Sequence, residues 1–214
     1  MQVFSLAAGE GLRCNRSADE GIQPRMSEDE DLVKAVLARA PGAFERLVAR
    51  HQKLVWHMVY RMVQHPEDAR ELSQEVFLRV YERLDQYRYE SSLSTWIGRV
   101  AFSIAGRHLE KKKLPMHEAR AEDEEGEPAW QQVADGFDLE AACADHETME
   151  LLQEAISRLS PIHRTLVTLY HLEEMGIGEI AEVTGQPEGT VKNYLFRARA
   201  KLRATLESKL GVAA

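Results

Sequence analysis

Gly178-Glu179-Ile180-Ala181-Glu182-Val183-Thr184-Gly185, followed by Pro187-Glu188-Gly189-Thr190-Val191-Lys192-Asn193-Tyr194, holds the pattern that decides the fold. Ile180 and Val183 are spaced to face one side of a short helix, with small Ala181 at a helix crossing. Gly185 stands where a tight turn needs positive φ, a conformation glycine adopts without steric cost. Pro187 opens a second helix that runs to Arg203, because a missing N–H is harmless in a first turn. Two helices joined by a glycine turn make a helix-turn-helix, whose second helix enters the DNA major groove. Between Pro187 and Arg203 there are five bases and one acid. Lys192 and Asn193 are types that read base edges, and Arg197, Arg199 and Arg203 can clamp phosphates.

The rest of the chain is also helical in period. Phe44, Leu47, Val48, Leu54, Val55, Met58, Val59 and Met62 form one three-four stripe. Pro66 suits the first turn of the next helix, whose buried face is Ala69, Leu72, Val76, Phe77, Val80 and Leu84. A further helix carries Trp96, Ile97, Val100, Ala101, Ile104 and Ala105 inward, with Trp96 read mainly as core. It ends in Lys111-Lys112-Lys113, cations well placed at a helix C-terminus. Ser27-Glu28-Asp29-Glu30 has capping-box spacing and predicts the start of a first helix, which stops before Pro41-Gly42. Patterning resumes near Leu139, and Ser160-Pro161 restarts a helix as N-cap and first position. Neither strand-like alternation nor an internal repeat occurs. The predicted fold class is all-α, two small helical bundles joined by a flexible acidic linker.

Charge divides the 214 residues in the same way. The formal net charge of -8 would count against a DNA binder, but residues 114–150 alone carry one base and 12 acids. Residues 26–113 are net +2 and residues 151–214 net +1. The domain reading is therefore 1–25 as a disordered extension, 26–113 as the first bundle, 114–147 as the acidic linker and 148–210 as the second bundle. Cys14 and Cys143 show no paired spacing, and the eight histidines form no metal-ligand pattern. No apolar run approaches a membrane span and no secretory signal is evident, so a cytoplasmic setting without membrane insertion is expected. No nucleophile–base pairing or Gly-rich phosphate loop supports an enzyme, and neither a metal nor a cofactor is expected.

Three stretches carry a specific resemblance. Asp68-Ala69-Arg70-Glu71-Leu72-Ser73-Gln74-Glu75-Val76-Phe77-Leu78-Arg79-Val80-Tyr81 resembles the polymerase-binding helix of sigma region 2. Leu93-Ser94-Thr95-Trp96-Ile97-Gly98-Arg99-Val100-Ala101 resembles the promoter-melting segment. Glu188-Gly189-Thr190-Val191-Lys192 with Phe196-Arg197-Ala198-Arg199 resembles the region 4 recognition helix. They stand in the order of bacterial RNA polymerase sigma factors, and the lack of a large domain between them resembles the extracytoplasmic-function (ECF) group.

The resemblance implies that the chain binds core RNA polymerase, at its β′ clamp and β flap, recognises promoter −10 and −35 elements and promotes melting. It assigns Asp68, Glu71, Gln74 and Glu75 to the clamp. Tyr87, Arg88, Tyr89, Ser91, Ser92, Arg99 and Arg107 fall to the −10 element, where aromatic faces and hydroxyls offset the cost of unstacking a base. Gly189, Thr190, Lys192, Asn193, Phe196, Arg197 and Arg199 fall to the −35 element. The resemblance also allows an anti-sigma factor as partner; separately, Ser73 beside the acidic face is a phosphorylatable position for a regulatory kinase. Departures from the pattern are Arg70 within the acidic face, and Ser103 and Arg107 where Asn and Asp are usual. The competing reading is a free-standing helix-turn-helix regulator, which would bind a palindromic site unaided.

Overall fold

The computed structural model describes residues 22–116 and 146–210, so the expected extension up to residue 21 and nearly all of the expected linker lie outside the described residues. Among the described residues there are eight α-helices and one short 3₁₀ turn. Helices α1 (Ile22–Leu37), α2 (Ala43–Val63), α3 (Pro66–Arg83) and α4 (Leu93–Lys111) build the first bundle. Helices α5 (His146–Ser157), α6 (Pro161–His171), α7 (Ile177–Thr184) and α8 (Glu188–Leu210) build the second. No helix among the described residues is long and apolar enough to cross a membrane.

Most helix ends follow local chemistry. Gly42 at φ 71° precedes α2, and His65 accepts from the Asp68 N–H (3.3 Å) with Pro66 behind it at the start of α3. Ser92 caps α4 by accepting from Thr95 N–H at 3.1 Å. Two expectations change. Helix α1 begins at Ile22, so Ser27 lies inside it rather than at its cap, and residues 22–25 belong to a helix. Pro24 permits this, because in a first turn its missing N–H breaks no bond. Ser160 is the N-cap of α6 by position, yet its hydroxyl pairs with His163 Nδ1 at 2.9 Å instead of capping backbone.

The two bundles pack on one another, and their buried apolar residues form one continuous core. Helix α2 lies against α6, and α4 against α7. The second contact is close at Gly98, where an added Cβ would sit 3.0 Å from Val183 Cγ2 and 3.4 Å from Met58 Cε. Polar groups also tie α2 to α5 and to the segment after α6. His57 Nδ1 meets Glu173 Oε1 at 2.5 Å, Arg61 donates to Gln153 Oε1 at 2.8 Å, and Gln64 donates to the Ser157 carbonyl at 2.8 Å.

At the centre of this contact Arg164 is 6% exposed. Its guanidinium donates to the carbonyls of Arg61 (2.7 Å) and Met62 (3.3 Å) at the end of α2, and of Ser157 (3.2 Å) and Leu159 beyond α5. These are helix-terminal acceptors with no intrahelical partner, and a cation suits them electrostatically. Burial, aided by neighbouring Arg61, pushes Arg164 down to about 10, still cationic at neutral pH.

Two expectations follow. Arg164→Met removes this donor from all four carbonyls, leaving only Ser157 with another in Gln64, and should cost about 3 kcal/mol, a drop of roughly 10 °C in thermal midpoint; Arg164→Lys should recover only part, lacking the forked geometry. His51 is 4% exposed, and its Nε2 has no hydrogen-bond partner among the described residues. Burial, reinforced by Arg50, lowers it from 6.5 to about 4. The unfolded chain thus binds the proton more tightly, so stability is intact above the unfolded value and falls as pH drops toward the folded one. Urea unfolding should show a loss of about 2 kcal/mol between about pH 7.5 and pH 5, largely abolished in His51→Leu.

Candidate nucleic-acid interface

Helix α8 buries Val191, Leu195, Ala198, Leu202 and Leu206 along one stripe. Gly189, Thr190, Asn193, Phe196 and Arg197 lie on the side away from that stripe, and Lys192 and Arg199 flank it. Gly185 takes φ 68°, as the turn requires, and α7 precedes it. The seven residues expected to read duplex DNA therefore share one helix, Gly189 exposed and the other six half-buried. Lys192 lies 3.9 Å from Glu188 one turn back.

The loop expected to accept an extruded base is tightly folded. Tyr87 is buried, and its hydroxyl donates to the Ser91 carbonyl at 2.7 Å. Burial, with Asp29, Tyr89 and Glu30 nearby, pushes that phenol up to about 12. Its ring packs 4.7 Å from Tyr89 and 5.6 Å from Trp96. Tyr87 thus supports the loop from beneath rather than presenting an open face. Tyr89 sits at φ 60°, half-buried, while Arg88 is exposed. Arg99 donates to Ser91 Oγ at 3.4 Å, and Arg107 lies further along α4, exposed. Trp96, read as core, is only half-buried.

One carboxylate joins the two regions. Glu179 Oε2 accepts from the Gly176 N–H at 3.0 Å, capping α7. Its Oε1 accepts from the hydroxyls of Ser92 (3.2 Å) and Thr95 (3.1 Å) at the start of α4. Ser92 is therefore engaged by the second bundle in this packing.

On α3, Glu71, Gln74 and Glu75 are exposed along one face. Asp68 departs from that stripe. Its carboxylate meets Lys112 at 2.5 Å and His108 at 3.3 Å, tying α3 to the end of α4. The Lys112 hydrogen bond holds it below the usual carboxylate range. Ser73 donates to the Ala69 carbonyl at 2.6 Å. Leu78 (60% exposed) and Tyr81 (50%), both absent from the expected set, extend the exposed face. The signal for them was present: both lie off the apolar stripe of their own helix.

The family model for sigma-70 region 2 matches residues 47–114, and that for sigma-70, region 4 matches residues 149–202. The ECF RNA polymerase sigma factor SigW of Bacillus subtilis is 31% identical over 176 residues, covering 81% of this chain and 94% of that protein. The RNA polymerase sigma-H factor of Pseudomonas aeruginosa is 30% identical, covering 86% and 96%. Two solved structures share the fold. One is CnrH in complex with the cytosolic domain of CnrY (TM-score 0.57, 21% identity, 84% of this chain and 97% of that one). The other is the sigma factor RpoE of Bartonella quintana with the anti-sigma factor NepR (TM-score 0.58, 17% identity, 78% and 98%). The first bundle carries region 2 and the second carries region 4, and the chain belongs to the ECF group of the sigma-70 family of RNA polymerase sigma factors.

Proposed function

We propose a division of labour in which α3 docks on core RNA polymerase, the 87–92 loop with the start of α4 takes the −10 strand, and α8 reads the −35 duplex. The overall task is that of the family: the chain directs polymerase to promoters for transcription initiation, as a binding factor without chemistry of its own. The observation that carries the docking assignment is the exposed face of Glu71, Gln74, Glu75 and Leu78, where an uncovered leucine sits among acids. Asp68 contributes indirectly, by fixing α3 against α4.

Both bundles are only mildly basic, which suits a protein that finds DNA in the company of an enzyme. We place it in the cytoplasm with its polymerase. An inhibitory partner is part of the reading, since the Bartonella quintana neighbour was solved with an anti-sigma factor.

Purified chain with core polymerase should give promoter-specific run-off transcripts that neither gives alone; tight binding to a symmetric site without polymerase would overturn the reading. Lys192→Ala with Arg197→Ala should weaken promoter selection at least tenfold and leave polymerase affinity unchanged. Glu71→Lys with Glu75→Lys should do the reverse, weakening polymerase pull-down about tenfold or more. Parallel loss of both functions in either variant would contradict the separation of tasks.

A further inference from the structure

A cavity of about 310 Å³ opens between the two bundles where α4 runs out. Gly106 and Leu109 of α4, with Met116 beyond it, form one wall, and Ile162 of α6 forms the other. Two polar side chains stand among them: Glu110 near the end of α4, and Gln186 in the turn between α7 and α8. The two bundles meet directly here, because the Ile162 N–H donates to the Met116 carbonyl at 3.3 Å.

Gly106 lies inside α4, where glycine is the poorest helix former after proline. Nothing in the packing demands it: an added Cβ would meet only Met116 Cε, at 3.5 Å, an ordinary contact. Gly98 on the same helix differs, since a Cβ there would crowd Val183 at 3.0 Å. The glycine at 106 keeps space open rather than permitting a close approach. Glu110 is exposed and Gln186 half-buried, and neither side chain has a hydrogen bond or ion pair among the described residues. An apolar hollow at a domain boundary with a few convergent polar groups is the usual form of a small-molecule site.

Size and lining narrow the ligand. At about 30 Å³ per small group, the volume takes about ten non-hydrogen atoms. Leu109 and Ile162 are buried and Met116 half-buried, so these walls suit hydrocarbon. The one charge in the lining is the Glu110 carboxylate, so the complementary head is a cation with N–H donors, which the Gln186 carboxamide oxygen can share.

We propose that this cavity binds a small apolar amine, a hydrocarbon body of about eight carbons with one ammonium group, and that the bound amine holds the two bundles together. The walls come from both bundles, so the ligand loses its site when they part, and a ligand confined to one state shifts the equilibrium toward that state. At ten times its dissociation constant, the packed-to-parted ratio rises about elevenfold. The effect on transcription rests on the tasks assigned above to the two bundles; the binding does not.

The test uses the full chain and octylammonium, with octanol and octanoate as probes of the head group, read by calorimetry and by the methyl NMR signals of Met116 and Ile162. Octylammonium should bind with a dissociation constant on the order of 0.1 mM and shift both methyls, one from each side of the seam. Octanoate should bind about tenfold more weakly, because Glu110 repels it. Glu110→Gln should remove that preference and leave octanol affinity unchanged. Gly106→Leu fills the hollow and should weaken all three about tenfold, with a thermal midpoint no lower than the wild type's as evidence that it folds. Octylammonium affinity unchanged in Gly106→Leu would overturn the proposal, as would equal binding of octanoate by the wild type. No binding by the full chain would overturn it too, the hollow being closed already; the mass in solution then tells a second copy from the chain's own residues. Run-off transcription with wild-type chain and core polymerase separates the two levels. Its failure without amine sinks the assigned tasks alone, whereas normal run-off that saturating amine does not diminish sinks this inference.

Discussion

A buried cation that must be surrounded by oxygen is the constraint on which the packing of this molecule depends. Arg164 keeps its charge at neutral pH while burial pushes against it, and no carboxylate among the described residues pairs with it. Only carbonyl oxygens at helix ends satisfy it, and two of the four come from the other bundle. The orientation of α2 against α5 and α6 follows from where those helices terminate. Moving either end by a turn would strand both the donor and the acceptors.

The surrounding contact is more polar than either bundle's own core. His57, Arg61 and Gln64 present a polar edge of α2 to Glu173, Gln153 and the Ser157 carbonyl. Such groups exchange protein partners for water at modest net cost, unlike a buried leucine stripe. The close approach at Gly98 adds shape, since a side chain there would press Val183 away from α4. The result is a packed state of two modules whose apolar residues join in one core, with a polar edge to the seam they share.

This distinction explains what the sequence made legible. The α7–Gly185–α8 unit was readable because its determinants are local: apolar spacing, a positive-φ glycine and a basic helix. The start of α3 at Pro66 was readable for the same reason, whereas the cap that Ser92 gives α4 was read instead as a strand contact. The seam was not, because His57, Arg61 and Gln64 at spacings of four and three look like any solvated helix face. Asp68 was placed on the docking stripe because its partners His108 and Lys112 lie some forty residues away. Tyr87 was expected as an open aromatic platform, and only the packing of Tyr89 and Trp96 against it reveals a pillar. Arg79 and Arg83 of α3 and Arg99 and Arg107 of α4 line one cavity with Ser103, a grouping across two helices that no local pattern announces.

The carboxylate of Glu179 has two loyalties. One oxygen holds the first turn of its own helix, and the other holds the hydroxyls of Ser92 and Thr95 across the seam. If the modules part, the first bond survives. The cap of α7 is therefore independent of the seam, whereas the Ser92 and Thr95 hydroxyls at the start of α4 would lose the same acceptor together, so one side chain couples the order of two helix starts that are more than eighty residues apart.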